Sequence, residues 1–205
     1  MKKRIYEVKT LDEAKELAPK DLGIALDEIT FNVLSEKKGF LGIGGKLEVE
    51  AVCAVDGIQK AKEYIQMILD ANGVKGFIEK KVRGNSVEFD IDAGDFNGYL
   101  IGKNSHTLIA LQTIISNIIN NYYEDEDKYI VYVDVNGYKK KRDKRLEKMA
   151  VDFGKEVAKT KQSIKLDNLN AYERKIIHNK LSTWKDVTTH SEGEEPNRCL
   201  IIEAK

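Results

Sequence analysis

Apolar residues recur along the chain with two periods, and each period predicts its own element. Residues 3–9 predict a strand. Asp12-Glu13-Ala14-Lys15-Glu16-Leu17-Ala18 predicts a short helix with acids in its first turn, where the helix dipole favours them. Ile29, Phe31 and Val33 alternate, as do Leu47, Val49, Ala51 and Cys53, which is the period of half-buried strands. Between them lies Lys38-Gly39-Phe40-Leu41-Gly42-Ile43-Gly44-Gly45-Lys46. The Gly39–Gly45 stretch has two readings: a tight turn with Phe40, Leu41 and Ile43 inward, or an apolar patch for a protein partner.

Downstream, Ile58, Ala61, Ile65, Ile68 and Leu69 predict a helix that stops at Asn72-Gly73. Strands are expected over 76–82 and 86–92, around Arg83-Gly84-Asn85. Residues 95–101 predict a short helix. A break at Gly102 precedes a longer helix, 105–122, whose wide apolar face predicts burial. Glu124-Asp125-Glu126-Asp127 reads as a solvated loop, and 129–135 as a strand. A long helix follows over about 139–160, with Leu146, Met149, Ala150, Phe153 and Val157 as its apolar stripe. Asn170 and Glu173 have capping-box spacing and start a helix to about Thr183. The last strand is expected over 198–203, after the turn-rich Ser191–Asn197.

With 205 residues, 41% hydrophobic and 33% charged, the chain has enough apolar material for packed cores. No apolar run approaches the roughly 18 residues of a membrane-crossing helix. The cationic start has no apolar stretch behind it, which argues against a secretory signal. Cys53 and Cys199 alone make no disulfide framework and fit a reducing cytoplasm. The formal net charge of 0 hides an asymmetry. Residues 1–54 carry a net −1, residues 55–136 a net −5 and residues 137–205 a net +6. The basic third is therefore the expected partner of a polyanion.

The chemistry falls in two places. Gly98-Tyr99-Leu100-Ile101-Gly102-Lys103-Asn104-Ser105-His106 forms a glycine-rich break before a helix, where amide groups and Lys103 suit a phosphate. It is not a nucleotide P-loop: only three residues separate Gly98 from Gly102, and Asn104 follows Lys103. The string and its surrounding elements resemble a prokaryotic-type (type II) KH domain over about 57–136. Ile101, Gly102, Lys103, Asn104 and Leu108 match the signature, while Ser105 stands where it has a second glycine. The resemblance implies that Gly102, Lys103 and Asn104 clamp a nucleic-acid backbone. The Ser105 Cβ is expected to restrict φ and crowd a close phosphate.

The second place is Arg174-Lys175-Ile176-Ile177-His178, whose Arg and His share a helical face. With Ser191, Gly193 and Arg198 downstream, it closely resembles the R-three-H (Arg-x-x-x-His) domain over 139–205. That resemblance implies single-stranded nucleic acid, with Arg174 and Lys175 on phosphate, His178 near a base or sugar, and Arg198 beside them. Seven cations crowd residues 139–148. Lys140, Lys141, Arg142 and Arg145 are expected to add salt-dependent phosphate contact.

Together with the N-terminal segment, 1–54, the chain resembles the bacterial Jag (SpoIIIJ-associated) family. The expected architecture is α+β with three small modules, 1–54, 57–136 and 139–205. The resemblance implies a cytoplasmic, chaperone-like regulator that binds single-stranded RNA, with single-stranded DNA as the open alternative, and is linked to cell elongation and envelope homeostasis. It implies a small single-KH protein as partner and a functional link to a membrane insertase; Ser105 and the net −5 charge add a homodimer through the KH-like unit as an expected partner. The alternative is a protein-interaction adaptor whose KH-like unit dimerises and binds little RNA. No enzyme is expected: Ser191 lacks a nucleophile-elbow context, and its glutamate neighbours oppose a developing anion. Neither cofactor nor metal is expected, since His and Cys residues lack ligand spacing.

Overall fold

A computed structural model describes residues 1–37 and 45–205. The expectation for the glycine-rich loop falls on residues 38–44, outside the described ones. The chain forms two compact units: residues 1–96 with 109–133, and residues 97–108 with 134–205. Among the described residues, no helix is long and apolar enough to cross a membrane.

The first unit begins with a three-stranded antiparallel sheet in the order β1 (Lys3–Val8), β3 (Lys46–Cys53), β2 (Ile29–Lys37). Helix α1 (Leu11–Leu22) is fixed at its start by Thr10, whose hydroxyl accepts the Glu13 N–H. Its buried face, Ala14, Ala18 and Leu22, follows the helical period. Val8, Ala14 and Val49 form one small core with Tyr6, Leu11, Phe31 and Leu47 around it. The register of β2 shifts between Val33 and Ser35, a bulge absent from the simple alternation of the sequence.

The order helix, strand, strand, helix, turn, helix, strand is found over residues 57–135. It comprises α2 (Gly57–Ala71), β4 (Phe77–Arg83), β5 (Ser86–Asp92), α3 (Asn97–Ile101), α4 (His106–Asn120) and β6 (Ile130–Val135). The strands lie in the order β4-β5-β6. Val87, Phe89 and Ile91 are fully buried, as are Ile65 and Leu69 of α2 and Ile115 and Ile119 of α4. Gly57 lets the start of α2 approach the end of α4: a Cβ there would lie 2.6 Å from the Ile119 carbonyl oxygen.

A polar tie fastens the first sheet to the end of α4. Lys2 N–H donates to the Tyr122 carbonyl at 3.0 Å, and Arg4 meets Glu124 at 2.6 Å. The Tyr122 hydroxyl donates to Glu28, which also holds Lys60 at 2.9 Å. The Lys60 hydrogen bond keeps the Glu28 carboxyl below its usual range.

The second unit contains α5 (Tyr138–Thr160), β7 (Ile164–Leu166), α6 (Ala171–Leu181), β8 (Val187–Glu192) and β9 (Cys199–Ala204). Its antiparallel sheet has the order β7-β9-β8. Strands β7 and β8 are not among the elements that periodicity predicts. The first is three residues long, and the second (Val-Thr-Thr-His-Ser-Glu) shows only Val187 and Thr189 to the interior. Leu146, Ala150, Val157, Ile177, Leu181, Leu200 and Ile202 form the core of this unit.

The Glu28 tie generates a pH test. A lowered folded-state pKa contributes stability above the unfolded value near 4.5 and loses it as pH falls through the folded value. Glu28→Gln is expected to melt below the parent at pH 7. The gap between their melting temperatures, followed by circular dichroism, closes as pH falls below about 4. A gap that widens in acid contradicts the tie.

Candidate nucleic-acid interface

Helix α6 starts where its sequence says it should. The Asn170 side chain accepts the Glu173 N–H at 3.0 Å, and Glu173 Oε2 accepts the Asn170 N–H at 3.0 Å. This is the capping box expected from spacing. The other Glu173 oxygen accepts from Arg142 Nε of α5 at 2.8 Å. Glu173 is buried, so Arg142 locks α5 to α6. The expectation for Arg142 is phosphate contact; in the structure its Nε serves the buried Glu173 carboxylate, which needs a cation.

Arg174 follows Glu173 and points elsewhere. It shares the helical face of the buried Ile177 and Leu181, three and seven residues on, so its side chain enters the interior and is 7% exposed. Nη1 donates to the Leu169 carbonyl at 2.7 Å and to the Arg198 carbonyl at 3.5 Å. Nη2 donates to the Glu195 carboxylate at 2.5 Å. The guanidinium thus joins the turn before α6, the entry to β9 and the connection between β8 and β9. The family resemblance puts phosphate on Arg174; the structure finds that position taken by protein partners, because a buried cation must be paired.

His178, one turn on, is exposed. Its Nδ1 lies 2.7 Å from Thr189 Oγ1 of β8, which fixes the ring and leaves Nε2 as its outer nitrogen. Between α6 and the sheet lies an open cleft of about 420 Å³. Ala171, Arg174, Lys175 and His178 line it from α6, Thr189, His190 and Ser191 from β8, and Arg198 and Leu200 from the β9 side. Four residues singled out in sequence (Arg174, Lys175, His178 and Arg198) therefore meet in one place. Thr189 and His190 were missed as site residues. The alternation of Val187 and Thr189 was the available signal, hidden by the polar character of the strand.

His190 sits between two carboxylates. Its Nε2 is 2.9 Å from Glu192 and its Nδ1 is 3.3 Å from Glu203. The Glu192 hydrogen bond, with the charges of both glutamates, pushes its pKa up. Among the described residues, no cluster of three or more His, Cys, Asp or Glu could hold a metal ion.

None of the α5 cations lines the cleft. Arg145 lies over the Tyr138 ring, 6.0 Å from its centroid, and Lys141 Nζ donates to Asn136. Lys140 is exposed on the same helix. The Gly102 loop belongs to the same compact unit. Gly102 has φ +70°, and a Cβ there would lie 2.1 Å from Thr107 Oγ1, so glycine is required. Lys103 is exposed, and Asn104 adopts φ +51°. Ser105 adopts φ +63°, which costs about 1–2 kcal/mol for a residue with a Cβ. Its buried hydroxyl donates to the Tyr138 hydroxyl at 3.0 Å. The expected Cβ restriction is therefore met by a left-handed serine that turns its side chain into the protein.

The stretches that build this geometry match known families. Residues 144–204 match the R-three-H domain family, and residues 6–53 match the Jag N-terminus family. The RNA-binding protein KhpB of Bacillus subtilis (strain 168) is 37% identical over 202 residues, 96% of each chain. The RNA-binding protein KhpB of Clostridium symbiosum is 35% identical over 201 residues, 96% of this chain and 89% of that one. The chain belongs to the Jag family. The Streptococcus pneumoniae serotype 2 KhpB is 32% identical over 142 residues, 69% of this chain and 42% of that longer protein. In this Jag family member the R-three-H match covers both walls of the cleft, from α6 to β9.

The buried pairing of Glu173 generates a test. Glu173→Ala removes the capping box and leaves Arg142 unpaired, so it is expected to cost about 2–3 kcal/mol in urea denaturation. Lys144→Ala, on α5 away from this pair, is expected to stay within about 0.5 kcal/mol of the parent. Equal losses would contradict the locking role.

Proposed function

We propose that this chain binds single-stranded RNA through the cleft between α6 and β8. The observation that carries this reading is the convergence of Lys175, His178 and Arg198 around the apolar Ala171 and Leu200. Cations neutralise phosphate and release counterions, while apolar walls and an imidazole edge suit a base or sugar. The R-three-H match over these residues and the RNA-binding names of the relatives support it. Lys175 and Arg198 are the primary phosphate groups and His178 contacts base or sugar. Arg174 stands behind them as a further phosphate group, paired with Glu195 in the unbound chain.

The Gly102-Lys103-Asn104 loop, read as part of a type II KH module, is a weaker second contact. Lys140, Lys141 and Arg145 add diffuse attraction away from the cleft. Two weak contacts on one strand reinforce each other through effective concentration. The function is non-catalytic. Both His190 nitrogens are engaged by glutamates, and Ser191 has no nucleophile-elbow context. The working location is the cytoplasm, and the three-module organisation 1–54, 57–136 and 139–205 belongs to this reading.

A second reading concerns protein partners. Helix α4 contains no charged residue, and Ile109 and Ile114 on it are 53% and 41% exposed. Such a face favours association of the KH-like unit with another KH unit, in a second copy or in a small single-KH protein. Hydrophobic association responds little to salt, whereas RNA binding weakens steeply with it.

Fluorescence anisotropy of a labelled single-stranded RNA across a salt series tests the main reading. Lys175→Ala with His178→Ala is expected to weaken binding about tenfold or more, and Lys103→Ala with Asn104→Ala about threefold. Equal or reversed losses contradict the ranking. No binding at low salt overturns the RNA reading and leaves the protein partner in front.

A further inference from the structure

Arg174 is held at its two ends by very different partners. Its Nη1 is held by the buried Leu169 carbonyl, but its Nη2 is held by a carboxylate from an exposed segment. The Glu195 side chain is 61% exposed while that of Arg174 is 7% exposed. The two ends of this ion pair therefore stand in different surroundings. Releasing Glu195 would return it to water at little desolvation cost, because most of it is hydrated already. Arg174 would remain anchored through Nη1, facing the cleft it lines.

We infer that Glu195 is a displaceable occupant of the phosphate position, an autoinhibitory carboxylate that an RNA phosphate must replace on Arg174. The inference rests on the RNA reading of this cleft and adds a competitor to it. A phosphodiester presents two non-bridging oxygens and one negative charge, as a carboxylate does, and suits the same guanidinium donors. A phosphate arriving at Nη2 also meets Lys175, His178 and Arg198, which line the same cleft. The Leu169 bond keeps the guanidinium in place during the exchange. A phosphate that bound without the exchange would lie close to the Glu195 carboxylate and be repelled. Displacement also releases the Glu195 part of the connection from α6, while the Arg198 carbonyl stays on Nη1.

The test compares Glu195→Gln with Glu194→Gln in the full chain. Glutamine keeps an acceptor for Nη2 and removes the charge, so the connection stays attached. Glu194 is exposed on the same connection and reports the general effect of deleting one negative charge. The probe is a fluorescein-labelled oligouridylate of about 12 nucleotides, read by anisotropy across a salt series. Glu195→Gln is expected to tighten binding at least about fivefold more than Glu194→Gln. Its log–log salt slope should stay close to the parent's, because the same phosphate contacts form in the parent once Glu195 has been displaced. Glu194→Gln should leave the slope unchanged. Weaker binding by Glu195→Gln, or a gain no different from that of Glu194→Gln, overturns the inference and leaves the RNA reading standing. Absence of binding by the parent and both variants overturns the RNA reading and this inference with it.

Discussion

The C-terminal unit depends on two adjacent buried charges of opposite sign. Glu173 and Arg174 are 2% and 6% exposed on α6, and neither is paired with the other. Buried ions are expensive unless every strong hydrogen-bonding direction is used. Glu173 turns to Arg142 and to its own helix N-terminus. Arg174 turns to Leu169, Arg198 and Glu195. One residue thus fixes how α5 meets α6, and the next fixes how α6 meets the ends of the sheet. Both contacts are made from α6, the helix that forms one wall of the cleft.

That division decides which cations are left for solvent. Arg142 and Arg174 look like a basic helix face in sequence, yet each is paired with a carboxylate of the protein, Glu173 and Glu195. Lys175 and His178 differ by helical position: they fall on the cleft side without entering the core. The Thr189 bond then orients the His178 ring and turns an exposed imidazole into a fixed one. Geometry supplied by β8 is therefore as important to the site as the residues on α6.

Much of this was legible in sequence where one physical rule acts alone. Period 3.6 found the helices, period 2 found the strand after the Arg83–Asn85 turn, and the Asn170–Glu173 spacing found a cap. The Arg-x-x-x-His helix and Arg198 were found as a set. Tertiary context hid the rest. Strand β7 is too short to show a period, and β8 buries a threonine where periodicity looks for an aliphatic residue. Charge type alone does not report burial, so Arg142 and Arg174 read as surface cations. Ser105 reads as a damaged glycine position. Only the Tyr138 hydroxyl, 33 residues away, explains why a left-handed serine is accepted there.

Formal charge is a poor guide to the cleft for the same reason. The segment from 137 to 205 carries a net +6, but its acids do not sit apart from its bases. Glu195 is paired with Arg174, and Glu192 with His190. Glu173 neutralises Arg142, and Glu147 holds Lys180 at 3.0 Å. The cations outside these pairs include Lys175 and Arg198 at the cleft and Lys140 on α5. On the RNA reading proposed above, exposed lysines attract phosphate from a distance, and selectivity arises only where the cleft holds its side chains still. The two properties are separable because they lie on different helices.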